Sequence, residues 1–373
     1  GWTDTFLKSF KHKDTLFSKP IFENKVPILF KNLTSTDTTL KYAAKQSLSS
    51  TVIDKKFSKQ VIDFLKTPEF LKLDEETRAM LLVNGGTLED EGIIPVYKNL
   101  YNYYEDSSYM QICLIKGLGF LKTQNSYNTI FDFLKNKTPL TGSEENITDI
   151  LSPFYDSLNL CSNYFPALFT LSSFEEYKTP IYKLFSDLVI REIIPMAKYQ
   201  TSVPSLLIEA GNELKRYNSS NKSSKSNNEY DAQAEAERLA DYYASMIESS
   251  INEGDKKTYP SYTNMIENHA AVLAPFYKTN PSVKQYFDKL FKIKNENTLL
   301  NINLIAERNK IPVNDTTWKF FSTNKKTKLK TYNELSKLNL LNKIDLTKLS
   351  QEDFCKTEIE NSIESILNAD SEE

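Results

Sequence analysis

Apolar residues recur at spacings of three and four through most of the chain, as in Val61, Phe64 and Leu65, then Phe131 and Leu134, then Phe287, Leu290 and Phe291. At 3.6 residues per turn, that spacing places them on one stripe of an α-helix. Breaks rich in Pro, Asn, Asp, Ser and Thr punctuate the pattern at Thr67-Pro68, Thr138-Pro139, Thr179-Pro180 and Asn280-Pro281. Proline in such a break either stops one helix or sits in the first turn of the next, where its missing N–H costs nothing. No alternating run with hairpin-turn chemistry interrupts the pattern, so the chain is predicted to be all-α.

Residues 217–228, YNSSNKSSKSNN, are almost wholly polar and carry no apolar periodicity. They read as a flexible loop or linker. Good helix formers follow from Glu229 to about Ser250, with acidic residues at the start that suit the positive end of a helix dipole. The chain is therefore expected to divide into a helical region at 1–216, a linker at 217–228 and a second helical region at 229–373, whose acidic tail from Ala369 frays.

Self-similarity runs through these helices. Residues 150–171, ILSPFYDSLNLCSNYFPALFTL, align without a gap on 272–293, VLAPFYKTNPSVKQYFDKLFKI. Leu151/Leu273, Pro153/Pro275, Phe154/Phe276, Tyr155/Tyr277, Tyr164/Tyr286, Phe165/Phe287, Leu168/Leu290 and Phe169/Phe291 are identical. A weaker echo joins Lys31-Asn32-Leu33, Asp37-Thr38-Thr39-Leu40 and Ile62-Asp63-Phe64-Leu65 to Lys98-Asn99-Leu100, Asp106-Ser107-Ser108-Tyr109 and Phe131-Asp132-Phe133-Leu134. In each, an apolar helix ends, an Asp with Ser or Thr caps the next, and a second apolar helix follows. Asn297-Thr298-Leu299-Leu300 reads as a third such unit. Modules of this kind bury both faces only against a stacked neighbour.

With the alanine-containing helix Leu40-Lys41-Tyr42-Ala43-Ala44-Lys45-Gln46-Ser47-Leu48, the pattern resembles HEAT-like repeats. That resemblance implies an α-solenoid of stacked antiparallel helix pairs. Residues 273–312, containing APFYKTNPSVKQYFDKL and NENTLLNINLIAERNKIPV, are similar to the helical region attached behind the catalytic domain of TraB/GumN-type bacterial envelope proteins. The resemblance covers about the last third of the chain. It implies a cell-envelope setting, periplasm or cell surface, with the cytoplasm as the alternative. That family's Gly-x-x-His element is not present, so no catalytic residue carries over.

Composition narrows the chemistry. Of 373 residues only 9 are glycine, against a typical usage of roughly 7%, and only 2 are histidine. A net charge of −3 with both signs mixed gives no field to gather nucleic acid. The three cysteines, Cys113, Cys161 and Cys355, lie far apart with no CxxC, so neither a disulfide framework nor a zinc site is expected, and Cys113 and Cys161 read as buried small apolar side chains. No run reaches the ~18–20 apolar residues that span a bilayer. The chain opens on Gly1-Trp2-Thr3, which reads as a processed piece of something longer.

Candidate sites are few. Asn84-Gly85-Gly86 precedes Glu89-Asp90-Glu91-Gly92, whose acids repel phosphate, so it reads as a helix end and inter-helix turn. Gly117-Leu118-Gly119 sits in the apolar run 112–121 and permits a close helix approach. Glu89-Asp90-Glu91 lacks the spacing of a calcium loop. His12 lies between lysines, and His269 can act as a base only beside a nucleophile, for which Cys161 is the candidate. The lysines from Lys325 to Lys330 read as a solvated loop or helix start. Tyrosines are dense at 97–109, and Tyr97, Tyr101 and Tyr104 fall on one helix face, either packed on a neighbouring repeat or offered to a partner. These three are the candidate partner-binding residues. No catalytic, cofactor-binding or metal-binding residue and no cofactor is assigned.

The function expected from this reading is a non-enzymatic helical repeat scaffold for protein-protein interaction, part of a larger bacterial envelope protein or complex. The alternatives are the non-catalytic portion of a TraB/GumN-like hydrolase, or an enzyme whose site, built from scattered acids and His269, carries no recognisable motif.

Overall fold

The computed structural model describes residues 26–48, 53–142, 144–223, 259–262, 264–324 and 326–346. The chain is all-α: eighteen α-helices are joined by turns and short 3-10 stretches, with no strand among the described residues. His12, Cys355, Lys325, the helix expected over 229–250 and the acidic tail lie outside the described residues.

The chain forms two compact units, Gly1–Phe133 and Leu134–Glu373. In the first, the helices are α1 Val26–Leu33, α2 Thr38–Leu48, α3 Ser58–Leu65, α4 Pro68–Leu71, α5 Glu75–Gly86, α6 Ile94–Tyr103, α7 Ser108–Phe120 and most of α8 Gln124–Asn136. Short polar side chains start them as the sequence predicts. Asp37 Oδ1 accepts the Thr39 and Leu40 N–H groups at 2.8 and 3.2 Å, the Thr67 hydroxyl accepts Phe70 N–H, and Asp74 accepts Thr77 N–H at 3.1 Å. At the start of α7 the cap is Ser107, not the neighbouring Asp106. Helices α5 and α7 pack together. Gly85 and Gly86, expected at a helix end and inter-helix turn, form the buried last turn of α5, and Gly86 faces Gly117 of α7.

The second unit holds α9 Glu144–Asp156, α10 Leu158–Cys161, α11 Glu175–Ile190, α12 Met196–Tyr199, α13 Val203–Ser223, α14 Met265–Leu273, α15 Pro281–Leu290, α16 Glu296–Arg308, α17 Asp315–Thr323 and α18 Lys328–Lys337. Its centre is α11, packed on α9 and α14; α14 in turn packs on α13 and α16. Trp318, Phe321 and Leu335 of α17 and α18 close on Leu300 and Leu304 of α16. Asn264, Asn280, Asn295 and Asn314 cap helix starts with their side chains. The unit expected to open at Asn297 is capped two residues earlier, where Asn295 accepts Thr298 N–H at 3.0 Å.

Two prolines depart from the sequence rule. Pro68 and Pro281 open their helices and Pro139 follows α8, but Pro153 and Pro180 lie inside α9 and α11. A proline in a helix interior costs ~3 kcal/mol and leaves the carbonyl four residues back without its helical donor. In α9 the Ser152 hydroxyl donates to that carbonyl, Asp149 O, at 2.8 Å. In α11, burial of Tyr177, Ile181, Tyr182, Leu184 and Phe185 outweighs the break.

Helix α13 likewise runs through 217–223, the first part of the polar stretch read as a loop; the remainder lies outside the described residues. Val203, Leu206, Ala210 and Leu214 are buried at helical spacing and anchor its start. Once a helix is nucleated, each further residue adds a hydrogen bond, so polar residues on its open side can extend it.

The aligned copies 150–171 and 272–293 bury the same side chains on different backbones. Leu151 and Leu273, Phe154 and Phe276, Phe165 and Phe287, and Leu168 and Leu290 are all buried. Yet Phe287 lies within α15, whereas Phe165 is extended between two 3-10 stretches. The position of Asp288 in α15 is taken by Pro166 in the first copy, and proline cannot donate the bond a helix needs there. Aromatic rings link the copies: Phe165 stacks on Phe185, Phe185 meets Tyr199 edge-on, and Tyr199 meets Phe276. Tyr199 Oη also donates to Val272 O at 3.2 Å.

Candidate functional site

Tyr97, Tyr101 and Tyr104 do share a face, but all three are buried within the first unit. Tyr97 Oη donates to Leu82 O, and Tyr101 stacks on Phe133 with ring centroids 3.8 Å apart. Arg78 donates from Nη1 to Tyr104 Oη at 3.0 Å and covers its ring. Instead of a partner surface, these rings form an internal packing layer, because Arg78 and Leu82 of α5, Gly117 of α7 and Phe133 of α8 lie against them. The exposed tyrosines of this region are Tyr103 and Tyr109.

His269 lies in the core of the second unit. Its ring packs 4.4 Å from Tyr182, whose hydroxyl donates to Glu209, and its Nδ1 faces Met265 O at 2.7 Å. That carbonyl makes Nδ1 the protonated nitrogen and leaves Nε2 a bare acceptor with no hydrogen-bond partner. Burial lowers its pKa to about 4. Beside it, Asn268 Oδ1 accepts the Ser186 hydroxyl at 2.7 Å. Cys161 is buried and its thiol is pushed well above the ordinary range, and no hydrogen bond joins it to His269. The pair weighed from sequence is thus not assembled as a nucleophile and base.

The other sequence motifs serve structure. Asp90 accepts Gly92 N–H at 2.9 Å and Glu91 accepts from Asn125 at 2.8 Å. The basic run leads into α18, which begins at Lys328. Among the described residues, no group of three His, Cys, Asp or Glu side chains is placed to hold a metal ion. No helix among them is long and apolar enough to cross a membrane.

The feature that sequence reasoning missed is an open groove of about 560 Å³ between α13 and the end of α15. Helix α13 turns its buried stripe of Leu206, Ala210 and Leu214 toward α14 and α15, and the next stripe round, Leu207, Ile208, Gly211, Lys215 and Asn218, lines the groove. From the other side come Tyr286, Lys289, Lys292 and Ile293. The last turn of α15 is a favourable place for Lys289 by the helix dipole. No carboxylate lines the groove, and none pairs with Lys215, Lys289 or Lys292 among the described residues. Nearby Glu213 is already engaged by Lys178 at 3.6 Å and Arg216 at 3.2 Å. Ile208, two-thirds exposed, adds apolar surface at the rim.

Two details mark the groove as shaped rather than incidental. A β-carbon on Gly211 would meet no atom within 4 Å, so the space above it is open. Glycine in a helix interior costs ~1 kcal/mol relative to alanine, which packing here does not explain. Tyr286 is buried, yet its hydroxyl has no hydrogen-bond partner. Burial, and then Glu213, hold its pKa far above the ordinary phenol value, so it remains a donor. Comparison with protein families, curated proteins and solved structures finds no match to this chain.

Proposed function

We propose that this chain is a non-enzymatic helical scaffold that binds another protein. The groove between α13 and α15 carries the reading: it joins apolar surface to three lysines without carboxylate partners among the described residues, a combination suited to a protein segment. A HEAT-like stack of helix pairs is the architecture proposed for it. In its support, α5 packs on α7, α9 on α11 and α14 on α16, each helix on the next but one. The envelope setting rests on the likeness of residues 273–312 alone.

The test is mild chemical crosslinking in the native source, followed by purification of the chain. A single protein recovered in stoichiometric amount supports the scaffold. Recovery of the chain alone and monomeric overturns it.

A further inference from the structure

We infer that the groove between α13 and α15 takes an amphipathic helix with acidic residues along one edge, supplied by a partner protein. This inference rests on the scaffold reading and names the partner's chemistry. One wall is α13, whose lining residues Leu207, Gly211, Lys215 and Asn218 follow helical spacing; the other is the end of α15, with Tyr286 and Lys289, and the turn after it, with Lys292 and Ile293. From Leu207 to Asn218 the wall is about 16 Å long at 1.5 Å per residue, which matches about three turns of a docked helix. Ridges of a guest helix need a hollow between the host's side chains, and Gly211 supplies one in the middle of α13.

Charge sets the guest's polarity. Lys215, Lys289 and Lys292 face the groove with no carboxylate among the described lining residues, so a guest bearing lysines is repelled and one bearing glutamates is drawn in. The Tyr286 side chain adds aromatic surface to the same wall, while its hydroxyl is buried below it. The leucine and isoleucine side chains cover the guest's apolar stripe.

The experiment uses the full chain and a fluorescein-labelled peptide of about three helical turns, with leucines on one face and glutamates beside them. Fluorescence anisotropy follows its binding. The expected result is saturable binding that weakens with added salt and falls at least tenfold for the same peptide with lysine in place of glutamate. Lys289→Glu with Lys292→Glu, and separately Gly211→Trp, each weaken it at least tenfold. Gly211→Trp fills open space rather than core, and a melting temperature close to the parent's shows that the fold is intact. Equal binding of the glutamate and lysine peptides, or binding unaffected by either variant, overturns the inference. So does saturable binding of the chain to phosphatidylserine vesicles without any preference for the acidic peptide, which assigns the lysines to a lipid headgroup. If the peptide fails while crosslinking still yields a stoichiometric protein partner, the groove assignment falls and the scaffold stands.

Discussion

Gly86 and Gly117 meet backbone to backbone: a β-carbon built on Gly86 would lie 1.7 Å from the Gly117 carbonyl oxygen. One built on Gly117 would lie 2.4 Å from Leu82 O and 2.8 Å from the Tyr97 ring. The approach of α5 to α7 therefore requires both residues to lack side chains. Gly86→Ala and Gly117→Ala are each expected to destabilise the first unit by about 3 kcal/mol, at the upper end of overpacking costs, since the obstructing atoms are backbone. Gly211→Ala has the opposite sign, a gain of about 0.5–1 kcal/mol, because its β-carbon enters open space within a helix. Urea titrations followed by circular dichroism check all three, and equal effects at Gly86 and Gly211 would contradict the close contact.

His269 makes the second unit sensitive to acid. Burial is the main cause of its pKa near 4; the Met265 carbonyl and Glu209 oppose that shift and Lys178 adds to it. In the unfolded chain the ring takes up a proton near the ordinary histidine value of 6.5, whereas the folded chain resists until about 4. The contribution is thus full above pH 6.5 and erodes as pH falls toward 4, by about 3 kcal/mol in all. His269→Gln is expected to flatten the pH dependence of the denaturation midpoint between 6.5 and 4. Parallel curves for the parent and the variant would show that His269 does not set it.

In a fully buried position the Ser186 hydroxyl donates to Asn268 Oδ1 at 2.7 Å, the one hydrogen bond of the Asn268 side chain, whose Nδ2 has no partner among the described residues. Ser186→Ala strands the Asn268 carbonyl oxygen and is expected to cost about 1–3 kcal/mol. Adding Asn268→Leu removes the stranded group, so the double variant loses less than the two single losses combined. A double-mutant cycle measured by urea denaturation checks this; simple additivity would refute the coupling.

Buried and exposed tyrosines in one segment should behave differently. Tyr101→Ala removes a ring stacked on Phe133 and is expected to cost about 3–5 kcal/mol, while Tyr103→Ala, 61% exposed, changes stability by less than about 1 kcal/mol. Thermal melts of the two variants separate a packing role from a surface role. A mild effect at Tyr101 would return that face to partner binding.

The all-α character and much of the helical periodicity were readable from the chain alone, because periodicity and capping act within a few residues; the caps at Ser107 and Asn295 stand one or two residues from Asp106 and Asn297, where the pattern put them. The buried aromatic and leucine pairs shared by 150–171 and 272–293 were readable for the same reason. Even their different backbones had a local sign in Pro166. What tertiary structure decided is which faces meet. A tyrosine stripe suits a core or an interface equally well, and only the placement of α5, α7 and α8 against it buries Tyr97, Tyr101 and Tyr104. Gly117 announced a close approach without naming Gly86 as its neighbour. Lys215, Lys289 and Lys292 carry no signal along the sequence, since a lysine's role depends on which charges surround it in space. Their union across α13 and α15, around the gap left by Gly211, exists only once the helices have packed.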